Sequence, residues 1–195
     1  MQWPKGIAKA TIVALEGQKR EIDLGCFCGC KYFSYVASFG AFTNASYKTP
    51  QWLKNFLGRP SYFLYGVSSI MDIRPYSVRV IADGVEIEGE FIFGSVSNTT
   101  FLGGFKLFPN DFVSLDDGLF ELLLVRAPKS PKDMQAIVDS MLKRSYNEKQ
   151  VTLINAKNIS FTFTESVPWT VDGEFAGEVS EVEINNLSKA IQVVL

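Results

Sequence analysis

The chain has 195 residues, of which 47% are hydrophobic and 21% are charged, and its formal net charge at pH 7 is -2. This composition predicts a folded domain with one hydrophobic core and excludes an intrinsically disordered chain. The sequence pI is near 5.3, so the overall charge gives no general attraction to nucleic acid or to an anionic membrane. We therefore expect no nucleic-acid partner.

Membrane-spanning and secretory segments are not expected. The longest apolar stretches, such as residues 120–125, are well short of the roughly 20 residues that a transmembrane helix requires. Residues 1–5 lack the charged and then apolar layout of a signal peptide. These features predict a cytoplasmic protein.

The three cysteines, Cys26, Cys28 and Cys30, alternate with two other residues. On a strand this spacing would point all three side chains to one face. A structural zinc site usually has four Cys or His ligands, and the sequence contains no histidine. Reduced cysteines packed in a strand are therefore expected, with zinc as the alternative. The missing histidine also excludes Ser-His-Asp and Cys-His catalysis within this chain.

The first half of the chain predicts a helix, two strands and a helical segment. Apolar spacing after Pro4 indicates a short helix that stops at Gly17. Residues 20–28 and 32–38 are rich in aromatic and β-favouring types and predict two strands joined by a turn. Residues 41–73 carry apolar side chains at helical spacing and predict a helical excursion from the sheet.

The second half predicts mostly strands. Residues 77–82 and 85–93 flank Asp83-Gly84, the strongest hairpin signal in the chain. The apolar run 120–125 predicts a buried strand. Ser130 is the expected N-cap of a helix with Pro131 at its first position; its buried stripe would comprise Met134, Ile137, Val138, Met141 and Leu142.

The remainder of the chain, residues 151–195, alternates in the manner of short strands. Ile159, Phe161 and Phe163 would face one side of a sheet, since polar residues separate them. Because strands outnumber helices and the hairpins are sequential, we predict a mainly β (α+β) fold, an antiparallel β-sandwich with inserted helices.

Four ordered segments give the sequence a family resemblance. They are Trp3-Pro4 leading to Ile22-Asp23-Leu24-Gly25; Ala37-Ser38-Phe39-Gly40; Leu115-Asp116-Asp117-Gly118-Leu119-Phe120; and Val171-Asp172-Gly173-Glu174. In this order and spacing they resemble the C-terminal, lipid-substrate domain of the bacterial diacylglycerol kinase family, which includes sphingosine and ceramide kinases. The resemblance covers residues 1–195 as a single domain with a fold like the C-terminal domains of NAD and diacylglycerol kinases.

The resemblance implies a catalytic pair. Glu174 corresponds to the proposed proton acceptor, and Asp172 is a second candidate beside it. On an extended segment the two carboxylates would face the same way, so a shared site could raise one pKa. From residue types alone, a hairpin turn with solvated acids is the alternative.

The resemblance also implies a magnesium site and a phosphate contact. Asp117 corresponds to the family's metal-binding aspartate, with the backbone carbonyls of Ser114 and Leu119 as further ligands, and magnesium prefers such oxygen ligands. The alternative is an Asx-type turn at residues 116–118. Lys106, after Gly103-Gly104, could reach a phosphate or pair with Asp117.

The implied reaction is transfer of the ATP γ-phosphate to a hydroxyl of a diacylglycerol-like lipid, with Mg²⁺ as cofactor. ATP would be bound mainly by an N-terminal domain with a Gly-Gly-Asp-Gly-Thr segment, which this sequence lacks. The chain alone is therefore expected to be inactive. The other expected partners are that ATP-binding domain, a peripheral membrane contact at the inner face and a second copy in a homodimer. An NAD kinase-related domain and a non-catalytic β-sandwich binding module are the alternatives.

Overall fold

The computed structural model describes residues 6–40, 74–102, 106–109 and 111–194. Two helices and nine strands lie within these ranges. Their bounds are α1 Ile7–Glu16, β1 Lys19–Phe27, β2 Lys31–Phe33, β3 Val36–Gly40, β4 Tyr76–Ala82, β5 Val85–Ser97, β6 Phe120–Arg126, α2 Pro131–Lys143, β7 Val151–Ala156, β8 Asn158–Val171 and β9 Glu174–Val194. The predicted helical excursion at 41–73 lies outside the described residues.

The pairings among these nine strands are all antiparallel. The strand order is β2-β1-β9-β8-β3-β5-β6-β7, and β4 pairs with both β5 and β8. Since β3 also pairs both β5 and β8, these four strands form a closed ring of pairings. A closed ring requires the long strands β5 and β8 to curve, so each contributes to two layers. The predicted antiparallel β fold with few helices is confirmed.

Two apolar clusters lie on opposite sides of the strands. The larger is aromatic, with the buried indole of Trp169 at 5.1 Å, centroid to centroid, from the ring of Phe39. The smaller includes Phe93 and Leu123 of the sheet and the buried side of α2. Strand alternation produces this division, because β8 directs Ile159, Phe161 and Phe163 into the larger cluster as predicted.

The predicted Asp83-Gly84 hairpin is confirmed as the turn between β4 and β5. Asp83 has φ 46° and Gly84 has φ 89°, the positive values that a two-residue hairpin turn requires. The Asp83 carboxylate also accepts N–H hydrogen bonds from Lys157 at 2.7 Å and Asn158 at 3.0 Å. These bonds lower the Asp83 pKa, the one from Lys157 most strongly, and tie the hairpin to the start of β8.

Helix α2 begins where its N-cap residue predicts. The Ser130 hydroxyl accepts a hydrogen bond from the Asp133 N–H at 3.2 Å, and Met134, Ile137 and Val138 are buried. The prediction that Leu142 also lies on the buried stripe is wrong, because its side chain is 59% exposed. Its neighbour Met141 still packs against the smaller cluster, so Leu142 lies outside the buried face of the same turn.

Two strand predictions need correction. The strand predicted over 32–38 is divided into β2 and β3, because the chain bends at Ser34 and Tyr35. The three cysteines do not share a strand face, since β1 ends at Phe27. Cys28 has φ 49° in the following turn, and Cys28 and Cys30 are exposed there.

Neither of the two helices in the described ranges, α1 and α2, is long and apolar enough to span a bilayer.

The depth of α2 packing can be tested with a pair of truncations. Met134→Ala should lower the free energy of unfolding by about 2–4 kcal/mol, since Met134 is only 1% exposed and its loss leaves a cavity. Leu142→Ala should change it by less than about 0.5 kcal/mol. Urea unfolding of both variants measures these values, and equal losses would contradict the observed orientation of α2.

Candidate functional site

A buried carboxylate organises the loop that carries the predicted metal ligand. Asp23, in β1, is fully buried, and its side chain accepts the Gly118 N–H at 2.6 Å and the Lys189 N–H at 2.8 Å. The Asn186 side-chain amide donates a third bond at 3.3 Å. The Asp23 N–H donates to the Leu115 carbonyl at 2.7 Å. We call these five residues the Asp23 junction.

The junction fixes a short loop in front of β6, residues 114–119, which we call the acidic loop. Asp117 is exposed, and its Oδ1 accepts the Leu119 N–H at 3.0 Å, so the Asx-type turn is present. Asp116 is held by the Ser114 hydroxyl at 2.9 Å and by Arg20 at 3.2 Å. The Ser114 hydrogen bond, followed by the Arg20 charge, lowers the Asp116 pKa.

The predicted magnesium ligands in this loop are all oxygen atoms, the donor type that Mg²⁺ prefers. Mg²⁺ takes oxygen ligands and keeps several waters, so the exposed Asp117 carboxylate and the Ser114 and Leu119 carbonyls are suitable donors. Within the described ranges, no group of three or more Asp, Glu or Cys side chains is placed to hold a metal ion. The predicted set has one carboxylate and two backbone carbonyls, so this absence does not test it. Magnesium binding by the loop stays a prediction. The same finding gives no support to a zinc site at the cysteines.

The second predicted segment is a two-residue turn between β8 and β9. Asp172 has φ 48° and Gly173 has φ 88°, so the expectation of an extended segment with two parallel carboxylates is wrong. The Asp172 oxygens accept three backbone N–H bonds at 2.9–3.0 Å, from Ser34, Tyr35 and Val36. Its carboxylate is therefore directed at the bend between β2 and β3.

Glu174, the first residue of β9, pairs with Val171 and is exposed. The turn thus separates the roles of its two acids, because Asp172 bonds to the backbone while Glu174 faces solvent. Lys106 is also exposed, and Gly103-Gly104 lies outside the described residues. The proposed contact of Lys106 with a phosphate stays a prediction.

Sequence reasoning missed Glu121, a buried carboxyl close to the acidic loop. It is 1% exposed in β6 and lies opposite Ser97 of β5. Burial raises its pKa to about 8, against weaker lowering by its own backbone, the Thr99 backbone and the Ser97 hydroxyl, and the Asp117 charge raises it further. A sequence signal existed, since a single glutamate interrupts the apolar run of residues 120–125.

The fold is that of an antiparallel, mainly β domain with few helices. The chain belongs to the family of the YegS C-terminal NAD kinase beta sandwich-like domain, whose model matches residues 36–195.

Its relatives include a diacylglycerol kinase of Bacillus subtilis (strain 168), 30% identical over 190 residues, and one of Staphylococcus carnosus (strain TM300), 29% identical over 191 residues. Each match covers 97% of this chain and 61% of the relative, so the chain spans less than two thirds of their length. A crystal structure of a diacylglycerol kinase from Bacillus anthracis str. Sterne has the same fold. It superposes with a TM-score of 0.68 at 23% identity, over 98% of this chain and 61% of that one.

The importance of the Asp23 junction can be measured by an isosteric change. Asp23→Asn replaces one acceptor oxygen with an NH2 group, which cannot accept a backbone N–H, so the free energy of unfolding should fall by about 2–4 kcal/mol. Asp116→Asn is the control, because its partly exposed pair with Arg20 should contribute less than about 1 kcal/mol. Similar losses in urea unfolding would contradict the central role of Asp23.

The buried Glu121 predicts a pH-dependent stability. Its pKa is about 8 in the folded chain against 4.5 ordinarily, so the folded state retains a proton that the unfolded state releases. The contribution of Glu121 to stability is therefore fully present below pH 4.5 and is lost as the pH rises through about 8. The free energy of unfolding of Glu121→Gln, relative to that of the parent chain, should therefore rise by roughly 2–4 kcal/mol between pH 5 and pH 8.

Urea unfolding at several pH values measures that gain. Glu181→Gln, a change at an exposed glutamate of β9, controls for the loss of one negative charge. A pH-independent difference between Glu121→Gln and the parent chain would contradict the raised pKa.

Proposed function

We propose that this chain is the C-terminal domain of a lipid kinase, which transfers the γ-phosphate of ATP to the hydroxyl of a diacylglycerol-like lipid. The observation that carries the proposal is the turn 172–174. It presents an exposed carboxylate from a backbone fixed by three hydrogen bonds, in a chain 30% identical to a diacylglycerol kinase over 97% of its length. A fixed carboxylate next to solvent is suited to accept a proton from a bound alcohol.

In this proposal, Glu174 is the general base and Asp172 a positioning residue. The Asp172 oxygens are already engaged by the N–H groups of Ser34, Tyr35 and Val36, which makes Asp172 a poor proton acceptor for a substrate. Its hydrogen bonds instead restrict the turn on which Glu174 is mounted. Positional precision of this kind is a large part of catalysis by proximity.

The acidic loop is proposed to hold the cofactor. The Asp117 carboxylate and the Ser114 and Leu119 carbonyls would hold Mg²⁺, which would supply positive charge near the phosphates. The hydrogen bond from Leu119 to Asp117 Oδ1 keeps this carboxylate at a defined angle on the loop. Lys106 is the proposed additional phosphate contact.

In this proposal ATP is bound by a second domain, which corresponds to the part of the relatives that this chain does not cover. Phosphoryl transfer depends on holding ATP in line with the acceptor hydroxyl. The chain alone is accordingly proposed to be inactive. The lipid alcohol, the ATP-binding domain, a peripheral membrane surface and a second copy remain its proposed partners.

The catalytic assignment can be tested in a full-length protein that joins this chain to its nucleotide-binding domain. Glu174→Gln keeps the shape of the side chain but removes the base, so kcat for lipid phosphorylation should fall by about 10²-fold or more. The KM for ATP should change little, since ATP is bound elsewhere. Initial rates with diacylglycerol in mixed micelles give both constants.

Glu178→Gln is the matched control, because Glu178 is an exposed glutamate of the same strand. It should retain the parent turnover. Unchanged turnover in Glu174→Gln would remove Glu174 as the base, and failure of the parent protein to phosphorylate any lipid alcohol would refute the proposed function.

A further inference from the structure

Asn98 hydrogen-bonds both to the acidic loop and to the β2–β3 bend that holds the turn 172–174. It directly follows β5 and is 3% exposed. Its backbone N–H donates to the Tyr35 carbonyl at 3.0 Å. Its side-chain Nδ2 donates to the Asp23 carbonyl at 3.1 Å and to the Leu115 carbonyl at 3.3 Å. One buried residue therefore bonds to the β2–β3 bend, to β1 and to the acidic loop.

On one side these contacts lead to the turn that carries Glu174. The Tyr35 peptide accepts from Asn98 through its carbonyl, and the Tyr35 N–H donates to Asp172 Oδ1 at 3.0 Å. Asp172 in turn donates its own N–H to the Val36 carbonyl at 2.8 Å. The bend and the turn thus hold each other through bonds in both directions.

On the other side the contacts lead to Asp117. The Leu115 carbonyl accepts from both Asn98 Nδ2 and the Asp23 N–H, which fixes the chain two residues before Asp117. The Asp23 carboxylate accepts the Gly118 N–H immediately after it. The acidic loop is therefore held on both sides of Asp117.

The chemistry of Asn98 favours a positioning role over simple packing. Its amide supplies two N–H donors to two carbonyls, whereas its Oδ1 is buried and has no hydrogen-bond partner among the described residues. An orphaned buried oxygen costs stability, so a polar side chain here is poorly explained by stability alone. A carboxylate of the same shape could not donate to either carbonyl.

We propose that Asn98 is a positioning residue that holds the acidic loop 114–119 and the turn 172–174 in one fixed arrangement. The proposal rests on the proposed function for its catalytic meaning, since these segments carry the proposed metal ligand and base. Its structural content is independent of that function. Loss of the amide donors releases Asn98 from the Asp23 and Leu115 carbonyls. The acidic loop should then loosen directly, and the bend should loosen with it, because the Asn98 backbone that bonds to the Tyr35 carbonyl is no longer anchored by its side chain.

Hydrogen exchange on this chain measures that loosening directly. In Asn98→Asp, the Tyr35 and Gly118 amides should exchange at least about tenfold faster than in the parent chain. The Asn158 amide, bonded to Asp83 at the β4–β5 turn, should keep its rate. Asn155→Asp is the matched control, because Asn155 Nδ2 donates to a single carbonyl, that of Phe112; it should leave both reporter amides unchanged.

Asn98→Ser provides a second and milder variant in case the aspartate variant fails to fold. Faster exchange at only one of the two segments, or at neither, would overturn the proposal. A uniform acceleration that includes Asn158, or loss of folding in both variants, would mark Asn98 as a residue of general stability and would also overturn it.

An activity measurement separates this proposal from the proposed function. In the full-length protein, Asn98→Asp should lower kcat for the lipid alcohol by about tenfold or more, with the KM for ATP little changed. Full turnover alongside faster exchange would contradict the catalytic part of the proposal. A parent protein without lipid kinase activity would refute the proposed function but leave the exchange result for Asn98 standing.

Discussion

The burial of the Asp23 carboxylate is the constraint on which the other features of the site depend. A carboxylate removed from water needs several hydrogen bonds to be stable. Asp23 obtains them from the Gly118 and Lys189 N–H groups and from the Asn186 amide. The donors come from the loop before β6 and from β9, so satisfying this one side chain brings distant parts of the chain to β1.

Two other aspartates repeat the arrangement at the surface. Asp83 and Asp172 each begin an Asp-Gly hairpin turn with positive φ, and each directs its carboxylate at backbone N–H groups from another part of the chain. These turns reverse their own strand and also fix a neighbouring turn. The acids of the candidate site consequently divide into bonded residues that position the backbone and the exposed residues Asp117 and Glu174, which remain accessible for chemistry.

Glu121 is a buried polar residue in β6, next to the acidic loop, and its burial lowers the stability of the fold. Its carboxyl is buried beside Ser97, and Glu121 Oε2 has no hydrogen-bond partner among the described residues. Burial raises its pKa to about 8, so the folded protein holds a neutral carboxyl near neutral pH. Such a group is less stabilising than an apolar side chain of the same size, and it lies one strand from the Asn98 end of β5.

The sequence by itself determined the elements whose signals are local. Hydrophobic alternation, the Asp83-Gly84 pair and the Ser130 N-cap predicted the antiparallel strands, a hairpin and α2, because these depend on neighbouring residues alone. Four short motifs also located the family. The tertiary structure alone decided that Asp172 faces the β2–β3 bend rather than pairing with Glu174, that Cys28 and Cys30 lie in a turn, and that Glu121 is buried. Each of these outcomes depends on hydrogen-bond partners or covering residues from distant parts of the chain, and local patterns carry no record of such partners.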